Sequence, residues 1–191
     1  MPGLYDGDDY DLAGTIVGVV DRAAILDGST VQVGDALIGL PSTGLHTNGY
    51  SLARRVLFEH LALADRPDEL GGQTVADALL AVHRSYLAPI RALVDAGLAH
   101  GFVHVTGGGI PGNTPRVVPE GLTFEVDYGA WETPGIFRLI QRLGNVPDDD
   151  MRRTFNLGIG LIAVVPDAAK AMDAWRAMGE SPVEIGRIVA T

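Results

Sequence analysis

The residue types able to do chemistry concentrate in PSTGLHTNGYSLARRVLFEHL, residues 41–61. Small polar residues and glycines there run into what reads as an amphipathic helix. A helix start offers unpaired backbone N–H groups and the positive end of the dipole, which together attract an anion. Gly44 and Gly49 let the backbone approach a ligand closely or take a positive φ, and Ser42, Thr43, Thr47, Asn48 and Ser51 add donors. His46 is the side chain in this loop that can move a proton near neutral pH. The same residues also describe an ordinary turn, in which Asn48 or Ser51 caps the helix, the glycines bend the chain and His46 bonds a carbonyl.

A second stretch, HVTGGGIPGNTPRV at residues 104–117, repeats the theme. Gly107, Gly108 and Gly109 stand in a row after Thr106, and three glycines are costly in chain entropy unless close approach or unusual dihedrals require them. No Gly-Lys-Ser/Thr follows, and the spacing is not GxGxxG, so neither phosphate-binding fingerprint is present. Asn113 and Arg116 open a short helical segment, where Arg116 is either a phosphate partner or a solvated surface arginine. Asn156 lies just before a buried-looking strand and either faces a ligand or caps an end. Asp6, Asp8, Asp9 and Asp11 offer carboxylates for Mg²⁺ or form an acidic terminus. His60, His83 and His100 stand apart without HExxH spacing and read as satisfied or exposed histidines.

These loops need elements to position them. Strands are expected over residues 14–20, 36–40, 122–126, 159–165 and 183–189 from β-branched content and turn boundaries. Helices are expected over residues 52–61, 75–96, 134–143 and 168–178, with Pro89 breaking or kinking the second. The βαβ rhythm is only partly kept, which predicts a mixed β-sheet with helices against it. Residues 65–72 read as a surface loop, and residues 148–150 as the acidic first turn of a helix.

With 191 residues and 47% apolar content, the chain fits one domain with a sizeable core. A net charge of −10 argues against nucleic acid and acidic membranes as partners. The absence of cysteine excludes disulfides, thiolate metal sites and a cysteine nucleophile, and fits a reducing cytoplasm. The amino terminus has neither a basic nor an apolar leader region, so no signal peptide is expected, and the longest apolar run is too short to span a bilayer.

Taken in order, YDLAGTIVGVV, GDALIGLPSTGLHTNGYSL, HVTGGGIPGNTPRV and RTFNLGIGLIAVVP resemble the carboxy-terminal half of the aminoimidazole ribonucleotide synthetase family, the phosphoribosylformylglycinamidine cyclo-ligases. The likeness runs through nearly the whole chain. It implies the α+β class, a mixed β-sheet flanked by helices, and an ATP- and Mg²⁺-dependent ring closure of formylglycinamidine ribonucleotide to aminoimidazole ribonucleotide, with release of ADP and phosphate. It also implies residues 1–14 as an extension or interdomain segment and residues 15–191 as the substrate-side domain. The family's amino-terminal ATP-binding domain, which carries most of the homodimer contact, is absent here, so a fragment or a misplaced start is expected, and the isolated chain is expected to be inactive.

On this resemblance His46 orients or protonates the reacting amide, while Ser42, Thr43, Gly44, Asn48, Gly49, Ser51, Gly107, Gly108, Gly109 and Asn156 line the groove for a phosphorylated ribonucleotide. No metal ligand and no firmly bound cofactor is expected in this chain. Two other readings stand beside this one. The first is a non-catalytic anion-binding or interaction module. The second is a relative in the same superfamily, such as selenophosphate synthetase, thiamine-phosphate kinase or formylglycinamidine synthetase.

Overall fold

The computed structural model describes residues 13–191. Five strands among these residues form a single sheet: β1 (Ala36–Pro41), β2 (Gly101–His104), β3 (Leu122–Val126), β4 (Ile159–Val165) and β5 (Val183–Ala190), in the order β2-β4-β1-β5-β3. Every neighbouring pair is antiparallel, which corrects the expected mixed sheet while keeping the α+β class. Continuous apolar runs report burial on both faces, and direction depends on how the connections return. Here helices cover an antiparallel sheet.

The central strands show why the run at residues 159–165 is apolar throughout. Leu161, Ala163 and Val165 pack on one face with Leu93 and Trp175. Ile162 and Val164 pack on the other with Leu37, Val103 and Ile185. Trp175 belongs to α7 (Ala168–Arg176), starts from the Asp167 cap, and donates its indole N–H to the Pro89 carbonyl at 2.9 Å. Its truncation to alanine should cost about 3–5 kcal/mol. A third apolar cluster joins α1 (Tyr50–His60), α2 (Val75–Leu79), α5 (Gly135–Gly144) and α6 (Asp148–Thr154) around Phe137 and Phe155. As expected, the first turn of α6 is acidic, with Asp148, Asp149 and Asp150 at the positive end of the dipole.

Two expected elements differ. Residues 14–20 form no strand: Ile16, Val17 and Val19 are 98%, 87% and 101% exposed. β-Branched composition favours an extended chain but supplies no hydrogen-bonding edge, and no described strand offers this segment one. The long helix expected over residues 75–96 is two, α2 and α3 (Leu87–Asp95), separated by an irregular stretch at residues 80–86. Pro89 therefore sits in the first turn of α3, where a missing N–H costs nothing, and is not a kink. Residues 80–86 are held instead by side chains reaching other parts of the fold. Arg84 binds Glu180 through two hydrogen bonds of 2.6 and 2.7 Å and donates to the Pro41 carbonyl. The Tyr86 hydroxyl donates to that same carbonyl at 2.8 Å. The four residues Asp6, Asp8, Asp9 and Asp11 lie outside the described residues.

Candidate functional site

The first loop leaves β1 at a bulge between Leu40 and Pro41 and enters α1 through Gly49. Gly49, with φ 73°, is the cap residue, in place of Asn48 or Ser51. Between these ends His46 and Thr47 have φ of 52° and 61°, in the left-handed region that non-glycine residues enter at a cost. Such dihedrals persist only where surrounding contacts over-determine them, and Asn156 supplies several. It is 2% exposed; its amide nitrogen donates to the Gly44 carbonyl at 2.8 Å, and its amide oxygen accepts from the Ser42 hydroxyl and the Gly158 N–H. Asn156 is thus a tie between two loops, with its polar atoms already engaged. Asn48 Nδ2 and Thr47 Oγ1 both donate to the His46 carbonyl at 2.6 Å.

His46 is 2% exposed, and its Nε2 accepts the Thr43 backbone N–H at 3.0 Å. The ring proton therefore sits on Nδ1 in the neutral form, and Nδ1 is a buried nitrogen without a partner among the described residues. Burial holds the imidazole well below its ordinary pKa, at about 4, with the charges of His83, His104 and Arg84 adding to the effect. At neutral pH His46 is an uncharged hydrogen-bonding group. Its ring lies against Gly160 of β4, where a Cβ would collide with the Tyr86 hydroxyl and stand 2.8 Å from His46 Cε1. Glycine at this position is what admits the ring to the sheet.

Two further histidines meet it. His83 stacks on His46 with ring centroids 3.8 Å apart, and His104, at the end of β2, lies edge-on to His83 with the two Nε2 atoms 3.1 Å apart. His104 also has a lowered pKa, first from burial and then from His83. The tyrosine beside them, Tyr86, is shifted upward by burial. These neighbours were not legible in the sequence: His83 reads there as a satisfied or exposed histidine, and His104 as the start of the second glycine loop. Neither carries a spacing signal, because they come from separate parts of the chain, a loop that reaches Pro41 of β1 and a strand, β2, that pairs with β4.

The second loop follows β2 directly. Val105 N–H donates to the Gly160 carbonyl at 3.0 Å, and Gly108 and Gly109 take φ of 101° and 61°, the unusual dihedrals that three glycines in a row suggested. Asn113, buried in α4 (Gly109–Asn113), donates to the Gly109 carbonyl at 2.7 Å and the Gly107 carbonyl at 3.3 Å. The two loops meet: a Cβ on Gly107 would stand 3.4 Å from Asn48 Oδ1. Gly107 is exposed at this meeting point and Gly109 is buried behind it. Thr43 and Ser51 are exposed and Ser42 is half-buried; Arg116 is exposed in a short 3-10 turn after α4. His60 and His100 lie away from this cluster, His100 being paired with buried Asp35 at 2.7 Å.

An antiparallel sheet with two loops converging over its central strands defines the class of fold, and solved structures share it. A thiamine-monophosphate kinase from Stenotrophomonas maltophilia K279a superposes with a TM-score of 0.59 at 19% identity, covering 90% of this chain and 52% of that one. The E. coli hydrogenase maturation protein HypE gives 0.54 at 20% identity, over 86% of this chain and 46% of that one. The sequence goes further, matching the family model described as AIR synthase related protein, C-terminal domain, over residues 32–191. The chain belongs to that family. A phosphoribosylformylglycinamidine cyclo-ligase of Sorangium cellulosum (strain So ce56) is 48% identical over 100% of this chain and 56% of that protein. One of Myxococcus xanthus (strain DK1622) is 50% identical over the same shares. The chain thus spans about half the length of the curated relatives it matches.

Proposed function

We propose that this chain is the substrate-side domain of a phosphoribosylformylglycinamidine cyclo-ligase. In this reading the complete enzyme closes formylglycinamidine ribonucleotide to aminoimidazole ribonucleotide in the cytoplasm, using ATP and releasing ADP and phosphate. Residues 15–191 form the domain, and residues 1–14 lead into it. The observation that carries the reading is the meeting of the two loops at Asn48 and Gly107, beside a buried histidine held at positive φ. Ser42, Thr43, Gly44, Asn48, Gly49, Ser51, Gly107 and Gly108 form the groove for the ribonucleotide, while Asn156 and Gly109 act from behind by holding the loop backbones. Strained dihedrals together with a close approach of two loops support a ligand site more than an ordinary turn.

His46 orients rather than protonates in this scheme. A ring with a pKa of about 4 carries no spare proton at neutral pH, and its Nε2 is already engaged by Thr43 N–H. Mg²⁺ does not fit the grouped donors found among the described residues. Among the described residues the cluster of three or more metal-ligating side chains is all histidine, whereas Mg²⁺ takes oxygen ligands. The metal and most of the ATP contacts belong in this reading to a preceding domain, which also carries the homodimer contact. The exposed β-branched stretch at residues 14–20 supports such a covering partner. In the complete enzyme His46→Ala should lower kcat/KM by about 100-fold with the fold retained; wild-type kinetics would sink the assignment. A second reading, a binding module without turnover, is favoured by the uncharged His46 ring, whose Nε2 is already engaged. An ATP-coupled cyclisation assay on the chain alone, and again with the ATP domain supplied, separates the two.

A further inference from the structure

We propose that His83 and His104, with His46 as a third donor, form a binding site for a first-row divalent transition metal ion such as Zn²⁺, Ni²⁺ or Cu²⁺. One ring nitrogen from each of the three lies within 4.8 Å of the others. The pair His83 and His104 is already arranged for an ion. Their Nε2 atoms are 3.1 Å apart with the rings 73° from coplanar. Two nitrogens bound to one tetrahedral Zn²⁺ at about 2.0–2.1 Å stand about 3.4 Å apart, so the ion needs only a few tenths of an ångström of separation.

The tautomer of His83 is set for ligation. Its Nδ1 lies 2.7 Å from the Arg84 carbonyl, an acceptor only, so Nδ1 carries the proton and Nε2 keeps its lone pair toward His104. A backbone carbonyl on the far nitrogen is the usual means of orienting a metal-bound histidine. Arg84 is itself fixed by its two bonds to Glu180, so the carbonyl that orients His83 belongs to a braced residue. The donor set is entirely imidazole, which suits Zn²⁺, Cu²⁺ and Ni²⁺ and does not suit Mg²⁺. An open cleft of about 390 Å³, lined by His83, Tyr86, Ile90, His104 and Leu161 among others, gives the ion a route in and room for water ligands.

His46 is the conditional ligand. Its ring is only 26° from parallel with His83, so one ion cannot lie in both ring planes as they stand. Joining the ion requires one ring to turn, and His46 Nε2 to release the Thr43 N–H. The expected order of ligand strength is therefore His83 and His104 ahead of His46.

The test titrates the chelator-treated 191-residue chain with Zn²⁺ by calorimetry and with Co²⁺ by visible absorption. One ion per chain is expected, with a d–d spectrum of a low-coordinate nitrogen site. His83→Ala and His104→Ala should each weaken Zn²⁺ binding by about 100-fold or more, His46→Ala by about 10-fold, and the distant His60→Ala not at all. Circular dichroism checks the fold of each variant; if His104→Ala does not fold, His83→Ala, in an irregular loop outside the sheet, decides alone. No saturable binding up to about 1 mM Zn²⁺, or unchanged binding in His83→Ala, would overturn the proposal.

Discussion

Residues 42–49 and residues 105–109 both leave a strand end and run into a helix, yet they make the turn by different means. The second loop puts glycines where φ is positive, at Gly108 and Gly109, and fastens them from within through Asn113. The first puts His46 and Thr47 there, accepts the strain, and fastens the loop from outside through Asn156 and the Tyr86 segment. A glycine turn needs only room; a histidine turn needs the rest of the fold to hold it. On the function proposed above, the first loop keeps side chains for chemistry at a cost in stability, while the second presents backbone.

Four experiments break or sharpen that contrast. The largest effect should come from Gly109→Ala, because its Cβ would run into the Arg152 carbonyl and lie 2.9 Å from the Phe155 carbonyl at a φ of 61°. A loss of more than about 4 kcal/mol is expected in chemical denaturation; a near-neutral result would show that the glycine loop has freedom the contrast denies it. Next comes acid. The folded pKa of His46, about 4, lies below its ordinary value of 6.5, so the fold favours the neutral ring. Its contribution is fully present above pH 6.5 and is lost as pH falls toward 4, where about 3 kcal/mol should have gone. With chelator present, His46→Gln should flatten the stability profile across that window; an unchanged slope would remove His46 as the group responsible.

Asn156→Ala should follow, at about 2–3 kcal/mol, since it strands the Ser42 hydroxyl, the Gly158 N–H and the Gly44 carbonyl. If the chain serves the proposed cyclo-ligase, Asn156→Ala should also raise the complete enzyme's KM for the proposed ribonucleotide, which a tie far from the two loops would not do. The smallest effect is assigned to Thr47→Gly. Relief of φ 61° and loss of the hydroxyl bond to the His46 carbonyl oppose one another, leaving stability within about 0.5 kcal/mol of wild type. A loss above 1.5 kcal/mol would mean that the dihedral carries no strain and the hydroxyl bond outweighs it.

Much of the fold was legible because its signals are local. The apolar run at residues 159–165, the β-branched strand at residues 183–189, the amphipathic helix after Gly49 and the acidic start of α6 all stand where composition, periodicity and helix-end charge put them. The loop residues around His46 were legible for the same reason, since glycines and small polar side chains ahead of a helix announce a turn. β2 stands outside the expected strands, because four residues are too few to show a period. His83 and Tyr86 were hidden inside an expected helix, where apolar spacing before and after residues 80–86 masked a stretch held open by contacts to Pro41 and Glu180.

By itself the sequence determined the elements, the glycine-bearing loops and, through the order of its blocks, the family, since each of these depends on residues close together in the chain. Only the tertiary structure decided that every strand pair is antiparallel, that residues 14–20 find no partner among the described strands, and that His46, His83 and His104 share one place. The reason is the same in each case. Hydrogen-bond direction, the presence of an edge and the approach of side chains from the loop after β1, from β2 and from the loop before α3 are relations between distant segments, and neither periodicity nor spacing encodes a distance across the fold.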